Sequence, residues 1–532
     1  MKPKELGDFT TTARVIPISI LAIAIGFIAS GVAWLLLKLI GLFTNLFYFQ
    51  RVDTAMTSPA NAHLGWVAVL IPVLGSLVIG VMARYGSERI RGHGIPEAIE
   101  SILMNGSRVK PRLAVLKPLS AAISIGSGGP FGAEGPIIMT GGAFGSLIAQ
   151  FFHLTSAERK TLLVAGAAAG MSATFAAPLS AVLLAVELLL FEWKPRSAIP
   201  VALASATAGA ARRYILGVGP LFPVATHPVF IGPAGLMSCI LIGIAAGALS
   251  ALLTVGVYAA EDAFQKLPIH WMWWPAIGGL CVGIGGLIFP PALGVGYDSI
   301  HLLLKGDVAL HFLLGVLLVK SAIWMISLGS GTSGGVLAPL LMMGAALGGA
   351  AEMILPHFGS GFWPLVGMGA ILGGTMRSPF TGIVFAVELT HDFNMLLPLL
   401  VANFLAHGFT VLVLKRSILT EKIARRGFHL SREYAIDPLE ILFVREVMSA
   451  PLDDEMVHEN MALAAHPDES LRVVVYRMAE TGSTRLPVKD ETGEMLGIVS
   501  LDDLLRARTR HLEEERRRER VLRFRLPIGG RA

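Results

Sequence analysis

Residues 126–136 read GSGGPFGAEGP, five glycines and two prolines around one carboxylate, Glu134. No other Asp, Glu, Lys or Arg occurs between Pro118 and Ala157. The pattern is that of a helix start. A glycine loop leads into a first turn where proline is tolerated, because its missing N–H would be unpaired there anyway. The remaining amides of such a turn are unsatisfied and, with the helix dipole, attract anions. GHGIPEAIE (92–100) and GGVLAPLLM (334–342) share this grammar. Three such starts converging would hold an anion by partial charges alone, weakly enough for it to leave. An ionised Glu134 can take the anion's place, and a protonated one can vacate it. The residue then acts as gate and proton carrier; the plainer alternative is an N-cap carboxylate. Intramembrane acids are costly and functional by default, which favours the gate.

The elements that must position these loops are apolar. The chain has 532 residues, 54% hydrophobic and only 15% charged, outside the usual range of soluble proteins. Val15–Leu37 and Gly232–Ala260 run 23 and 29 residues without a charge, more than the roughly 20 needed to cross a bilayer. Gly65–Ala83, Trp273–Val295, Leu313–Gly335 (interrupted by Lys320) and Trp363–Met376 with its neighbours are further candidates. An all-α polytopic membrane protein follows. Lys2, Lys4 and Arg14 precede the first span with no cleavage-site pattern, so a retained segment is expected. The Arg-rich C-terminal region, with those residues, predicts both termini in the cytoplasm. Cys239 and Cys281 read as small core hydrophobes. The sequence contains neither GxxxxGK[ST] nor HExxH, which argues against an ATP-driven pump or a metal hydrolase. No metal site and no nucleic-acid partner are expected.

The chain repeats itself. Residues 126–145 and 329–348 align without gaps at an offset of 203, nine of twenty positions being identical. APLSAVLLAVEL (177–188) matches SPFTGIVFAVEL (378–389) at an offset of 201, aligning Glu187 with Glu388. Duplicated halves are a transporter habit, with substrate sites between halves at interrupted helices. Similarity alone leaves open whether the halves are inverted.

At these residues the chain resembles the CLC family of chloride channels and chloride/proton exchangers, over roughly residues 15–425. GHGIP (92–96) matches the family's GSGIP-type loop, GAEGP (132–136) its GREGP motif and GVLAP (335–339) its GIFAP motif. Lys117 lies seventeen residues before Glu134, as the family's lysine does before its gating glutamate. SILTEKIARRG (417–427) resembles the end of the last membrane helix. The resemblance implies a homodimer with one anion pathway per subunit and two inverted-topology repeats of tilted, broken helices. It implies anion contacts at His93, Gly94, Ile95, Pro96, Ala133, Glu134, Gly135, Val336, Leu337 and Leu419. Lys117, Glu187 and Glu388 are expected in supporting roles. Chloride, other monovalent anions and protons are the implied partners, with the lipid bilayer.

Several positions depart from the family. His93 stands where serine is usual. A neutral imidazole N–H can still donate to chloride; alternatively the ring points away and only backbone amides bind. Ala133 replaces arginine, Leu337 replaces phenylalanine, and Leu419 replaces the tyrosine at the inner end of the pathway. Leu188 stands where exchangers commonly carry a second, proton-accepting glutamate; Glu192, one turn on, is a possible relay. The expected function is chloride transport gated by Glu134 with weak or absent proton coupling. A tightly coupled antiporter is the alternative, and a solute symporter with duplicated halves a more distant one. A fluoride exporter of the same family fits the GHGIP loop and Pro136 less well.

The C-terminal region resembles a cystathionine-β-synthase (CBS) motif. Residues 468–505 have its helix–strand–strand–helix order, and GIVSLDD (497–503) fits the pattern in which Ser500 and Asp503 would contact adenosine ribose. Adenine nucleotide is therefore a conceivable ligand, although no cofactor is required. VREVM (444–448) resembles the start of a first copy. The expected division is a cytoplasmic N-terminus (1–14) and a transmembrane domain (15–425, halves about 15–217 and 232–425). A linker (426–467), a single small α/β CBS-like motif (468–510) and a charged helix and tail (511–532) complete it.

Overall fold

A computed structural model of the chain describes residues 9, 11–306, 308–428, 439, 442–450, 464–490 and 492–509. The chain divides into a membrane unit within residues 11–431 and a second unit that includes the C-terminal region. The charged helix expected beyond Thr509 and most of the expected N-terminus and linker lie outside the described residues.

The first half of the membrane unit contains α1 (Val15–Phe49), α2 (Leu70–Tyr85), α3 (Ile95–Met104), α4 (Pro111–Gly126), α5 (Glu134–Gln150) and α6 (Ser156–Phe175). It closes with α7 (Pro178–Leu184), which runs on through a π turn at Ala185–Leu190, and α8 (Pro195–Ile215). The second half contains α9 (Gly232–Gln265), α10 (Trp274–Ile288) and α11 (Tyr297–Lys305). α12 (Leu310–Leu314) passes through a second π turn, Gly315–Lys320, into α13 (Ser321–Gly329). Then follow α14 (Leu337–Glu352), α15 (Phe362–Met376), α16 (Pro379–Thr390), α17 (Leu396–Val413) and α18 (Ile418–Arg425).

Among the described residues, six helical stretches are long and apolar enough to span a bilayer. α1 has 35 residues and α9 has 34, about 50 Å each at 1.5 Å per residue. That exceeds a hydrocarbon core of about 30 Å, so these helices must tilt or extend beyond it. The helices behind the glycine loops are shorter: α3 has 10 residues, α5 17 and α14 16. α15, part of a stretch expected to span together with its neighbours, is buried along its whole length and serves as the core of its half.

The repeat is visible in the packing. α1 lies on α4, α6 and α8, as α9 lies on α13, α15 and α17. α5 packs on α6 through Gly141 and Gly166, where an added Cβ on either would come within 2.3 Å of the other's carbonyl oxygen. Gly344 and Gly367 make the equivalent approach between α14 and α15, at 2.5 and 2.3 Å. Such small-residue contacts let backbones approach where lipid offers no hydrophobic drive.

In the C-terminal unit, α19 (Leu471–Thr481) packs on a hairpin of β1 (Arg485–Lys489) and β2 (Met495–Ser500), antiparallel with Leu486 opposite Val499. Residues 501–509 are helical. Val444, Leu471, Val474, Val488, Val499 and Leu504 share one small core. VREVM therefore belongs to this same fold, bridged to it through Phe443–Ser470 and Ser449–Ile498, and is not the start of a separate first copy.

Candidate anion site

The two glycine loops of the repeat meet each other directly. Gly132 donates its N–H to Gly335 O at 3.1 Å, and Gly335 donates to Gly132 O at 2.8 Å. These two glycines occupy the same position of the repeat, so the exchange is that of a pseudo-two-fold contact. The loop before α3 joins them: Gly92 donates to Thr332 O at 2.7 Å and accepts from Gly334 at 3.4 Å. Gly94, at φ +92°, begins α3, and an added Cβ there would lie 2.4 Å from Gly135 O. Three helix starts, α3, α5 and α14, thus converge. Pro96 falls in the first two positions of its helix, whereas Pro136 and Pro339 fall third.

Glu134 is the first residue of α5 and is fully buried. Its carboxylate folds back over the glycine bridge. A Cβ on Gly132 would lie 1.7 Å from Oε2, and one on Gly335 2.9 Å from it. Around the carboxylate stand the amides of Glu134 and Ala338, the Tyr297 hydroxyl and the Lys320 ammonium. Neither carboxylate oxygen makes a well-formed hydrogen bond with any of them. Both helix N-termini therefore face a buried acid that nothing clamps. Ala133 and Val336 are the N-caps of α5 and α14; they and Leu337 are buried. Leu337 is the repeat counterpart of Glu134, so only one half contributes an acid here.

His93 is 3% exposed, and its Nδ1 is buried without a partner. Its carbonyl closes on Gly135, while Ile95 and Pro96 are buried in the first turn of α3. Glu97, which the sequence reading did not single out, accepts from Gly94 N–H at 2.8 Å and pairs with Lys422 of α18 at 2.7 Å. Leu419 lies buried on α18, which Tyr258 anchors by donating its hydroxyl to Ile418 O. A cavity of about 690 Å³ opens beside this pair, lined among others by Arg91, Gly92, Lys422, Arg425 and Arg426. At the opposite ends of α10 and α13, a cavity of about 150 Å³ is lined among others by Thr57, Gly294, Gly296, Tyr297 and Asp298.

Lys117 is a strut. Its ammonium donates to Ile90 O at 2.8 Å, Gly92 O at 2.7 Å and Ser333 Oγ at 3.3 Å. Glu187 and Glu388 are reciprocal caps. Glu187 accepts from Phe380 N–H at 3.3 Å, from Thr381 N–H at 2.9 Å and from the Thr381 hydroxyl. Glu388 accepts from Leu179 N–H at 2.9 Å, from Ser180 N–H at 2.8 Å and from the Ser180 hydroxyl. Each satisfies the first amides of the other half's helix. Glu192 stands away from this group, past the π turn, beside Lys160, Lys194 and Arg196 at 3.6–3.8 Å. Leu188 is fully buried within that turn.

In the C-terminal unit, Asp503 accepts from Ser500 N–H at 2.9 Å, from Ser500 Oγ at 2.6 Å and from Ser449 Oγ at 3.2 Å. Burial alone would raise its carboxyl, but these bonds hold it below the usual aspartate range.

Sequence reasoning missed Tyr297, Lys320 and Glu97 as site residues. The repeat alignment carried a signal for one of them. Extended nine residues before each GSG, it places Lys320 opposite Lys117.

Two pseudo-symmetric halves whose broken helices turn their amide ends on one buried carboxylate define a duplicated membrane protein built around that acid. The family model for voltage gated chloride channels matches residues 74–410, and that for the CBS domain matches 444–510. The chain belongs to the voltage gated chloride channel family. Among curated relatives it is 30% identical over 400 residues to the H(+)/Cl(−) exchange transporters ClcA of Salmonella arizonae and Salmonella paratyphi B, covering 71% of this chain and 83% of each relative. Among solved structures, a slow cyanobacterial Cl−/H+ antiporter superposes with a TM-score of 0.68 at 23% identity, over 77% of this chain and 97% of that one. A CLC-type fluoride/proton antiporter gives 0.65 at 19% identity, over 75% and 97%. These two likenesses establish the fold.

Proposed function

We propose that this protein carries chloride and other monovalent anions through one pathway per subunit of a homodimer, with Glu134 as gate and with weak or absent proton coupling. One observation carries the reading: the Glu134 carboxylate rests unclamped in a glycine cradle at two helix N-termini. Ionised, it occupies the place that suits an anion; protonated, it loses its attraction to the amides and swings out. The amides at 94–96, 133–135 and 336–337 then face the permeating ion, with Leu419 below them. No full charge need bind the ion, so release stays fast. The Lys and Arg content of both terminal regions supports a cytoplasmic position for them.

The weak coupling follows from what a proton would meet on leaving Glu134. Leu188 and Leu419 do not titrate, and Glu192 is engaged by three cations. Tight exchange is the second reading, favoured by the relatives named H(+)/Cl(−) exchange transporters; it would need water or Glu192 as a relay. The test is purified protein in liposomes with a chloride gradient, no proton gradient and the potential clamped. Chloride flux without uphill proton movement is expected. Proton movement at a fixed ratio to chloride would establish exchange, and its loss in Glu192→Gln with chloride flux intact would identify the relay.

A further inference from the structure

The repeat supplies an internal control for the buried lysines. Lys117 and Lys320 are equivalent by position, and both are fully buried. A buried ammonium has three N–H groups to satisfy. Lys117 satisfies all three, on Ile90 O, Gly92 O and Ser333 Oγ. Among the described residues, Lys320 has one hydrogen-bond partner, Gly294 O at 2.8 Å. Two of its donors are left over, and the acid beside it is Glu134.

Tyr297 completes the arrangement. It is the first residue of α11, after Gly296 in the left-handed region at φ +83°. Its ring packs edge-on against Phe222 with centroids 5.9 Å apart. The residue lines the cavity of about 150 Å³, yet its hydroxyl is buried, without a partner, on the side of Glu134. Lys320 Nζ lies 3.5 Å from where a Cβ on Gly296 would stand, so the ammonium rests against the turn that carries Tyr297. The Tyr297 hydroxyl and both Glu134 oxygens are thus buried without a hydrogen-bond partner, and the Lys320 ammonium, more than 4 Å from either oxygen, keeps two donors in reserve while acting on the carboxylate through its charge. Burying polar groups unpaired is costly, and a cluster of matched donors and acceptors left open is what a movable group requires.

We propose that Lys320 and Tyr297 form the outer seat of the gate: when an anion displaces the Glu134 side chain from the glycine cradle, its carboxylate moves onto these two donors. The inference rests on reading Glu134 as the gate. Lys320 and Tyr297 are positioning residues that set how readily the ionised carboxylate leaves the cradle toward the cavity. Other charged or titratable groups on the elements around the gate are His93 in the loop before α3, Glu97 on α3 and Lys117 on α4, with Asp298 exposed at the cavity rim. α1 and the Met56–Pro59 segment contribute no charge to the cavity wall.

The experiment is chloride flux from liposomes across a pH series for Lys320→Met and Tyr297→Phe, each in the wild-type and the Glu134→Gln backgrounds. Removing a cation beside the carboxylate favours the neutral acid. With Glu134 present, the pH of half-maximal flux should therefore rise by about one unit in Lys320→Met and about half a unit in Tyr297→Phe. In the Glu134→Gln background neither change should move a profile already flat. If Glu134→Gln keeps the wild-type profile, the gate reading itself fails, and the seat with it. If Glu134→Gln flattens the profile but both substitutions leave half-maximal flux at the wild-type pH, the seat is overturned and the gate stands. Equal shifts with and without the Glu134 carboxylate would also overturn it. Tyr297→Phe, which retains the ring packing, decides the question should Lys320→Met fail to fold.

Discussion

The two halves of the membrane unit carry the same lysine nine residues before the same GSG, and they use it differently. Lys117 is saturated by three oxygens, one of them across the repeat boundary on Ser333, and pins the α3 loop to the α14 loop. Lys320 spends one donor on Gly294 O and turns toward Glu134. The same contrast holds one helix further on. Glu134 and Leu337 are counterparts, and only the first has a group that can take up or release a proton. By comparison, Gly132 with Gly335 and Glu187 with Glu388 kept their symmetric exchange. Where the repeat remains symmetric it builds the scaffold. Where it diverges, a scaffold position has become free to titrate or to move.

The sharpest way to break this comparison is stability. Lys117→Met should destabilise the fold by about 3 kcal/mol, because it leaves two buried carbonyls without their charged donor. Lys320→Met should cost about 1 kcal/mol, and thermal unfolding in detergent would read both. Equal losses would mean that the lysines are both struts. Next come the reciprocal caps. Glu187→Gln and Glu388→Gln should each cost about 2 kcal/mol by weakening charge-assisted bonds to two amides and a hydroxyl. Values differing by more than about 1 kcal/mol would show that the pseudo-symmetry is geometric but not energetic.

Function gives the third and fourth tests. Glu134→Gln should abolish the pH dependence of chloride flux while flux persists. At high pH the variant should exceed wild type about tenfold, the equivalent of about 1.4 kcal/mol. Leu337→Gln, at the mirror position, should leave the pH dependence in place. A profile unchanged in the first variant, or lost in the second, would put the gate elsewhere. His93→Ser should change the chloride/nitrate preference a few-fold, less than about 1 kcal/mol, since backbone amides remain. An unchanged preference would leave binding to those amides alone.

The smallest effect is expected in the C-terminal unit. We propose adenine nucleotide as its ligand, with Ser500 and Asp503 the contacting residues. Asp503→Ala in the full chain should remove any nucleotide heat in calorimetry, and identical heats in both proteins would end the idea. The depressed Asp503 carboxyl adds a pH test. Its bonds to Ser500 and Ser449 contribute stability above the unfolded aspartate value of about 3.9, lost as pH falls through the lower folded value. Amide exchange at 500–503 should therefore quicken there in wild type and not in the variant.

Much of the cradle was legible in the sequence. The glycine–proline breaks, the solitary Glu134 and the 203-residue offset are properties of local backbone chemistry and of charge in an apolar run, and both are written residue by residue. The pairing of Glu187 and Glu388 was legible as a repeat but not as an exchange, since each cap finds its amides 193–209 residues away. Tyr297 gave no signal at all: a tyrosine at a helix start is ordinary until its hydroxyl is found beside a carboxylate.

The sequence by itself determined that the chain is a duplicated membrane protein with anion-seeking helix starts and a single acid among them, because periodicity, propensity and the cost of a charge in lipid act along the chain. Only the tertiary structure decided which of two equivalent lysines was saturated and which was left facing the acid. The number of oxygens around a buried ammonium depends on which distant loops close over it, and no position in the sequence records that closure.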